Sequence, residues 1–210
     1  MLHLFKNVLV LAPHTDDGEL GAGGTIARLI ASGARVSYAA FSTAENSLAP
    51  ELPPDTLVRE VKAATRCLGI PPENLFILGY KVRELEYHRQ DVLDDMVQLR
   101  RNNYDLVLMP CQHDIHQDHE VIAREGMRAF KQTTILGYEL IWNNLNFNTC
   151  CFIRLGKQDL ERKVYALQAY HSQKHRPYMS PVFIESLARA RGVQIGAEFA
   201  ESFEVVRWVV

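Results

Sequence analysis

The chain has 210 residues, 47% hydrophobic and 23% charged, with 25 acidic against 23 basic side chains and a formal charge of −2. That length and make-up predict one domain, residues 1–210, with a substantial core. Balanced charge without a basic stripe excludes a dedicated nucleic-acid binder, and no run nears the roughly 20 apolar residues of a membrane-spanning helix.

Asn7 to Ala12 (NVLVLA) is a short apolar run typical of a strand buried on both faces. A glycine-rich turn leads into a predicted helix over Thr25 to Ser32, stopped by Gly33, and Arg35 to Phe41 reads as a second strand. Such a βαβ unit implies parallel strands. Ser42 to Asp55, with Pro50, Pro53 and Pro54, is a long loop expected to wall or cover a site. An amphipathic helix follows over Thr56 to Leu68, then a short strand over Asn74 to Leu78 and a helical pattern over Tyr87 to Arg101. Asp105 to Met109 is a fourth buried strand. Beyond it lie a helix over Glu120 to Phe130 and a strand over Thr134 to Leu140. Trp142 to Leu155 reads as one or two strands around an Asn-Phe-Asn turn. Helices over Lys157 to Tyr170 and Pro181 to Arg191 come next. Ser202 to Val209 alternates like an edge or antiparallel strand.

Alternating strands and helices define an α/β fold, with a mostly parallel sheet covered on both faces. Ligands bind such sheets at the carboxyl ends of the strands, and two polar clusters sit at such ends. Cys67, Cys111, Cys150 and Cys151 show no CxxC spacing, so buried free thiols in a reducing compartment are expected. The N-terminus lacks the layout of a secretory signal, and a cytoplasmic location is the expectation.

The first cluster is Pro13-His14-Thr15-Asp16-Asp17. A histidine and a carboxylate three residues apart, His14 and Asp17, can both reach one small cation. Asp16 then points elsewhere and is free to work on a water. Gly18, Gly21, Gly23 and Gly24 match neither a dinucleotide nor a P-loop fingerprint. They are expected instead to permit close backbone approach and helix packing. The second cluster, His113 to His119, holds three histidines and two aspartates. His116 and His119 share a face if a helix begins there, but spacing does not decide whether one or both bind metal. Protein ligands with an open position, a free carboxylate and a spare histidine are the parts of metal-assisted amide hydrolysis.

PHTDD (Pro13 to Asp17), GAGGT (Gly21 to Thr25) and HQDH (His116 to His119), each in its strand context, resemble the hallmarks of the LmbE-like, or PIG-L, family of metal-dependent de-N-acetylases. The resemblance implies a Rossmann-like fold, zinc (with iron(II) also suited to the donors) and an N-acetylglucosamine-type small-molecule substrate. It implies His14, Asp17 and His119 as metal ligands and Asp16 as general base. His116 would assist the oxyanion and leaving amine, with Asp118 orienting His116. Arg59, in a helix similar to one the family places near substrate, and Asp114, beside the second motif, are the expected substrate contacts. Glu19 follows Gly18 where the family often has Glu directly after the aspartate pair, so its role is open. His171, His175 and Arg176 form a polar turn that faces either the site, a sister subunit of a homo-oligomer, or solvent. Two alternatives share the motifs: an amidase for a non-sugar substrate, and a non-catalytic sugar-binding relative.

Overall fold

The computed structural model describes residues 4–209. In chain order the elements are β1 (Asn7–Ala12), α1 (Asp17–Ala31), β2 (Arg35–Ser42), α2 (Thr56–Leu68), β3 (Leu75–Tyr80), α3 (Arg89–Arg100) and β4 (Leu106–Pro110), then α4 (Gln117–Ala129), β5 (Thr134–Tyr138), β6 (Cys151–Leu155), α5 (Lys157–Leu167), α6 (Pro181–Val193) and β7 (Phe199–Arg207). They build a seven-stranded sheet in the order β3-β2-β1-β4-β5-β7-β6. Neighbours among β1 to β5 are parallel. β7 runs antiparallel to both β5 and β6. This is the expected α/β, mostly parallel sheet with helices on both faces.

The apolar run of β1 shows how the sequence builds two layers at once. Val8, Val10 and Ala12 point into a core shared with α1, α2, α5 and α6. Leu9 and Leu11 point the opposite way, into a core shared with α3 and α4. Side chains alternate across a strand, so a strand buried on both faces must be apolar at every position.

Two expectations are corrected, for α1 and for the cysteines, and one is narrowed. α1 begins at Asp17 rather than Thr25, so the glycines lie inside the helix. Helical glycine is costly, yet a Cβ at Gly18 would overlap the Tyr38 ring and one at Gly21 the Tyr138 ring. Close seating of α1 on the sheet requires their absence. Of the two readings of the last strand, antiparallel holds and edge does not, since β7 is interior and β6 lies at the edge; β6 is the one named strand between residues 142 and 155. Of the four cysteines, all free, Cys111 is buried, Cys67 and Cys151 are half-buried and Cys150 is exposed.

The strand order also locates the site. From β1 the chain moves outward to β2 and β3, whereas from β4 it moves the other way to β5. β1 and β4 are paired neighbours, so the loops leaving their carboxyl ends diverge and open a crevice between them. The two polar turns are those loops.

Candidate metal centre

The first turn is braced from beneath. The Thr15 carbonyl accepts from the Tyr38 hydroxyl at 3.0 Å and from the Tyr170 hydroxyl at 2.6 Å. Tyr38 also accepts from Gly18 N at 3.1 Å. Glu19 is fully buried between the two tyrosines, 3.0 Å from the Tyr170 hydroxyl and in close contact with that of Tyr38. This settles the place of Glu19, below the turn and away from the crevice. Burial raises its carboxyl to about 8 even though both hydroxyls favour the ionised form.

The second turn becomes the start of α4, with His116 as its N-cap. The Asp118 backbone N–H donates to His116 Nδ1 at 3.2 Å. Asp114 is buried; its Oδ1 accepts from His116 N at 2.9 Å and its Oδ2 lies 2.7 Å from His119 Nδ1. With Nδ1 an acceptor, neutral His116 carries its proton on Nε2.

Across the crevice three donor atoms form a small triangle. Asp17 Oδ2 lies 3.0 Å from His14 Nδ1 and 3.3 Å from His119 Nε2. His119 Nε2 and His14 Nδ1 are 3.3 Å apart. Donors at roughly 2.0–2.2 Å from one tetrahedral cation stand about 3.3–3.6 Å from each other, so the triangle fits a small divalent ion with slight expansion. The opposite nitrogen of each imidazole is also held. His14 Nε2 lies 2.9 Å from Asp118 Oδ2, and His119 Nδ1 is held by Asp114. A carboxylate behind each histidine is the usual support of a metal ligand. His14, His116 and His119 form a second candidate group, with one ligand atom from each within 4.8 Å. In that set His116 Nδ1 is already engaged by Asp118 N.

Electrostatics separate the groups. Burial alone would raise Asp17, but His119 and His14 beside it hold its carboxyl well below the usual range. Burial lowers the imidazoles, yet Asp17 and Asp118 lift His14 to about 9, while Asp17 and Asp114 lift His119 to about 10. His116 has no such carboxylate contact; burial and the two neighbouring imidazoles push it down to about 4. Asp16 goes the other way, raised to about 6 by burial and by the Asp17 charge. Two adjacent aspartates thus hold opposite shifts.

Above the triangle lies a cavity of about 240 Å³ whose floor is His14, Asp16, Asp17, His116 and His119. The long loop supplies Ala44 and Ser47 as a wall, as expected of it. The opposite wall comes from Trp142, Asn143, Gln173, Arg176 and Tyr178. Trp142 and Tyr178 stack with ring centroids 4.0 Å apart. Sequence reading missed Trp142, Asn143, Gln173 and Tyr178, because irregular loops carry no periodic signal. Arg176 was named in a turn already marked as polar, and Gln173 and Tyr178 lie in the same stretch without having been singled out.

Three side chains lie elsewhere than expected. The Asp118 carboxylate supports His14, and only its backbone N–H orients His116; helix initiation at residue 117 turns the side chain back under the first turn. Both oxygens of Asp114 are engaged behind His119 and His116, so it buttresses the floor instead of meeting substrate. The Arg59 side chain is 59% exposed and pairs with Asp55 at 3.1 Å. It borders a separate depression, because α2 presents that face to solvent.

Fold and site together define an α/β protein with a candidate mononuclear metal centre at its topological switch point. Residues 9–130, more than half of the chain, match the family model described as PIG-L, GlcNAc-PI de-N-acetylase, and the chain belongs to this family. It is 30% identical over 135 residues to the probable N-acetyl-alpha-D-glucosaminyl L-malate deacetylase 2 of Bacillus cereus, a match covering 59% of this chain and 60% of that protein. The chain thus spans less than two thirds of this relative. Among solved structures, the conserved protein TT1542 from Thermus thermophilus superposes with a TM-score of 0.81 at 26% identity, covering 97% of this chain and 95% of that one. The 4-carboxy-2-hydroxymuconate hydratase GalB from Pseudomonas putida shares the fold alone, with a TM-score of 0.79 at 19% identity over 98% of each chain.

Proposed function

We propose that this chain is a metal-dependent N-deacetylase that removes the acetyl group from an N-acetylglucosamine-type amino sugar or its conjugate. The observation that carries the reading is the donor triangle of His14, Asp17 and His119 with Asp16 free beside it. The family model and the B. cereus relative both bear names of de-N-acetylases of GlcNAc conjugates, which supports the substrate class. The reading takes residues 1–210 as one deacetylase domain and its place as the cytoplasm.

His14, Asp17 and His119 would hold the cation, zinc by choice of donors, with iron(II) equally able to use two histidines and a carboxylate. A cation held there would polarise an amide carbonyl and acidify a water beside it. Asp16, the carboxylate outside the ligand set, takes the proton of the attacking water. His116, with its proton on Nε2, donates a hydrogen bond to the developing oxyanion, and the proton taken up by Asp16 passes to the departing amine as the C–N bond breaks. Asp114 and Asp118 keep the two ligand imidazoles oriented.

A shared fold with a hydratase shows that architecture alone does not choose the reaction. The deciding assay measures acetate released by the zinc- or iron(II)-loaded protein from N-acetylated amino sugars, their glycosides and a non-sugar acetamide. Release from the sugars supports the reading. Release confined to the non-sugar amide moves the protein to the amidase class, and binding of sugars without release moves it to the non-catalytic one.

A further inference from the structure

Resting on the deacetylase reading, we infer that the buried ion pair of Lys163 and Glu201 is a positioning device for that reaction: it sets the seat of α1 and, through the first turn of α1, the placement of Asp16 and Asp17. Lys163 stands on α5 and Glu201 on β7, and both are buried. Lys163 Nζ donates to Glu201 Oε1 at 2.7 Å and to the Leu20 carbonyl at 2.7 Å. Glu201 accepts from Gly24 N at 3.0 Å and from Thr25 N at 2.7 Å. These backbone groups all belong to the interior of α1.

Leu20 C=O and Gly24 N–H stand four residues apart, the spacing of partners in a helical ladder, and the pair takes hold of both. A carboxylate on N–H groups and a cation on a carbonyl are what helix ends attract. Here they act inside one helix, at the rung that joins residues 17–23 to residues 24–31. Glycine makes the room. A Cβ at Gly23 would lie 2.9 Å from Lys163 Cγ, and one at Gly24 would lie 2.5 Å from Leu155 Cδ1 and 3.3 Å from Glu201 Oε1.

Stability does not account for such a pair, because apolar residues of similar volume in place of a buried ion pair often leave a fold as stable or more so. The grip does bear on the floor. Leu20 N donates to the Asp16 carbonyl at 3.0 Å, and Leu20 itself lines the cavity. Tyr38 and Tyr170 hold the turn that precedes α1, and Lys163 holds the far end of its first turn. Asp17 lies between these anchors. A carboxylate ~6 Å from a helix axis moves ~1 Å when the helix rotates by ~10°, and a displacement of that size is enough to cost about 10²-fold in rate.

The test replaces both members at once, Lys163→Met with Glu201→Met, so that no single charge stays buried and Gly24 N–H can close on Leu20 C=O. Three quantities are read: urea unfolding of the metal-free protein, zinc affinity by chelator competition, and kcat and KM of the zinc-saturated protein for acetate release from the methyl glycoside of N-acetylglucosamine. The variant should unfold at or above the wild-type urea midpoint. It should nevertheless bind zinc about tenfold less tightly and turn over about tenfold more slowly, with KM changed by less than about twofold. Loss of affinity alone puts the displacement at Asp17, and loss of kcat alone puts it at Asp16; either sustains the proposal. A folded variant with wild-type affinity and wild-type kcat overturns it. Arg28→Gln is the control, since Arg28 also ties α1 to α5, through Asp159 at 3.3 Å, further along the helix. It should match the wild type in affinity and kcat. An equal loss there assigns the effect to looser packing of α1 on α5 and overturns the proposal too. If the double variant does not fold, Glu201→Gln is read in the same way: a several-fold loss sustains the proposal and wild-type values overturn it. Zinc affinity needs no turnover, which keeps the two readings apart. Weakened zinc binding in the variant, with no acetate released even by the wild type from any of the sugars, removes the deacetylase reading and leaves the positioning role. Acetate release by the wild type with an unaltered variant does the reverse.

Discussion

The floor of the crevice and its walls are built on different principles. On the floor each side chain of the donor triangle is held at least twice. His14 sits between Asp17 and Asp118, His119 between Asp17 and Asp114, and the first turn rests on Tyr38, Tyr170 and Glu19. The walls come from three separate loops, and their aromatic and polar groups bond mainly to one another. A rigid floor suits chemistry that tolerates little displacement, whereas loop walls can change without disturbing it. Substitutions on the floor should therefore abolish a step, and those in the walls should shift preference among substrates.

The largest effect is expected at the one floor carboxylate outside the donor triangle. Asp16→Asn removes a base but no ligand, so kcat should fall by about 10² to 10⁴ with metal content unchanged by elemental analysis. Full turnover in that variant would sink the assignment of Asp16. The acid limb of the wild-type rate follows from its shift. A carboxyl raised to about 6 is in its basic form above that pH and loses it below, and a nearby cation pulls the limb lower still. Activity should rise with pH and level off by about 6; a limb centred above ~7 assigns the base to another group. His119→Ala, which removes a triangle corner, should lose the metal on purification.

Next come the supports. Asp114→Asn and Asp118→Asn each release the far nitrogen of one ligand imidazole, and metal affinity measured by chelator competition should drop about 10- to 100-fold. A second pair of variants, Asp17→Asn and His116→Ala, separates the candidate ligand sets. If His116 replaces Asp17 as third ligand, Asp17→Asn should spare metal content and His116→Ala should not; with Asp17 as ligand the outcomes exchange.

This contrast also explains what could be read beforehand. The floor was legible because it lies at strand ends, where the alternation of strands and helices and the close spacing of His14, Asp16 and Asp17, or of His116 and His119, are local features. Those side chains converge because β1 and β4 are neighbours, a pairing that the strand order shows and the alternation of elements does not fix. The contacts of Asp118 and Asp114 were not legible: Asp118 lies inside a helix that starts at Gln117 instead of Glu120 and faces His14, while Asp114 lies in the turn before it and faces His116 N and His119. Trp142, Gln173 and Tyr178 reach the cavity from loops distant in sequence, and only tertiary packing brings them there.

Beneath the floor, Glu19 predicts a pH-dependent stability. Its carboxyl, raised from 4.5 to about 8 by burial, stays protonated in the folded chain over a range where the unfolded chain has lost the proton. The folded state then binds more protons, so this group's contribution to stability falls as pH rises from about 4.5 to 8. Glu19→Gln cannot ionise. Relative to wild type it should therefore gain stability between about pH 5 and pH 8, by up to a few kcal/mol in urea unfolding of the metal-free protein. Parallel curves for the two proteins would show that Glu19 is ionised in the folded state.

The smallest effect concerns backbone. Arg83 sits in the left-handed region at φ 69°, and its N–H donates to Asp118 Oδ2 at 2.6 Å, the same oxygen that faces His14. For a residue with a Cβ this conformation costs about 1 kcal/mol or somewhat more. Glycine adopts it freely but loses a similar amount through the greater freedom of the unfolded chain. Arg83→Gly should thus change stability by less than ~1 kcal/mol and leave metal affinity as it was, because the N–H remains in place. Arg83→Val, whose branched Cβ resists positive φ, should pull the loop from Asp118 and weaken metal binding a few-fold at near-constant secondary structure. The two variants remove the same charged side chain and differ in backbone preference alone. Equal metal affinity in both would show that the floor holds His14 without help from this loop.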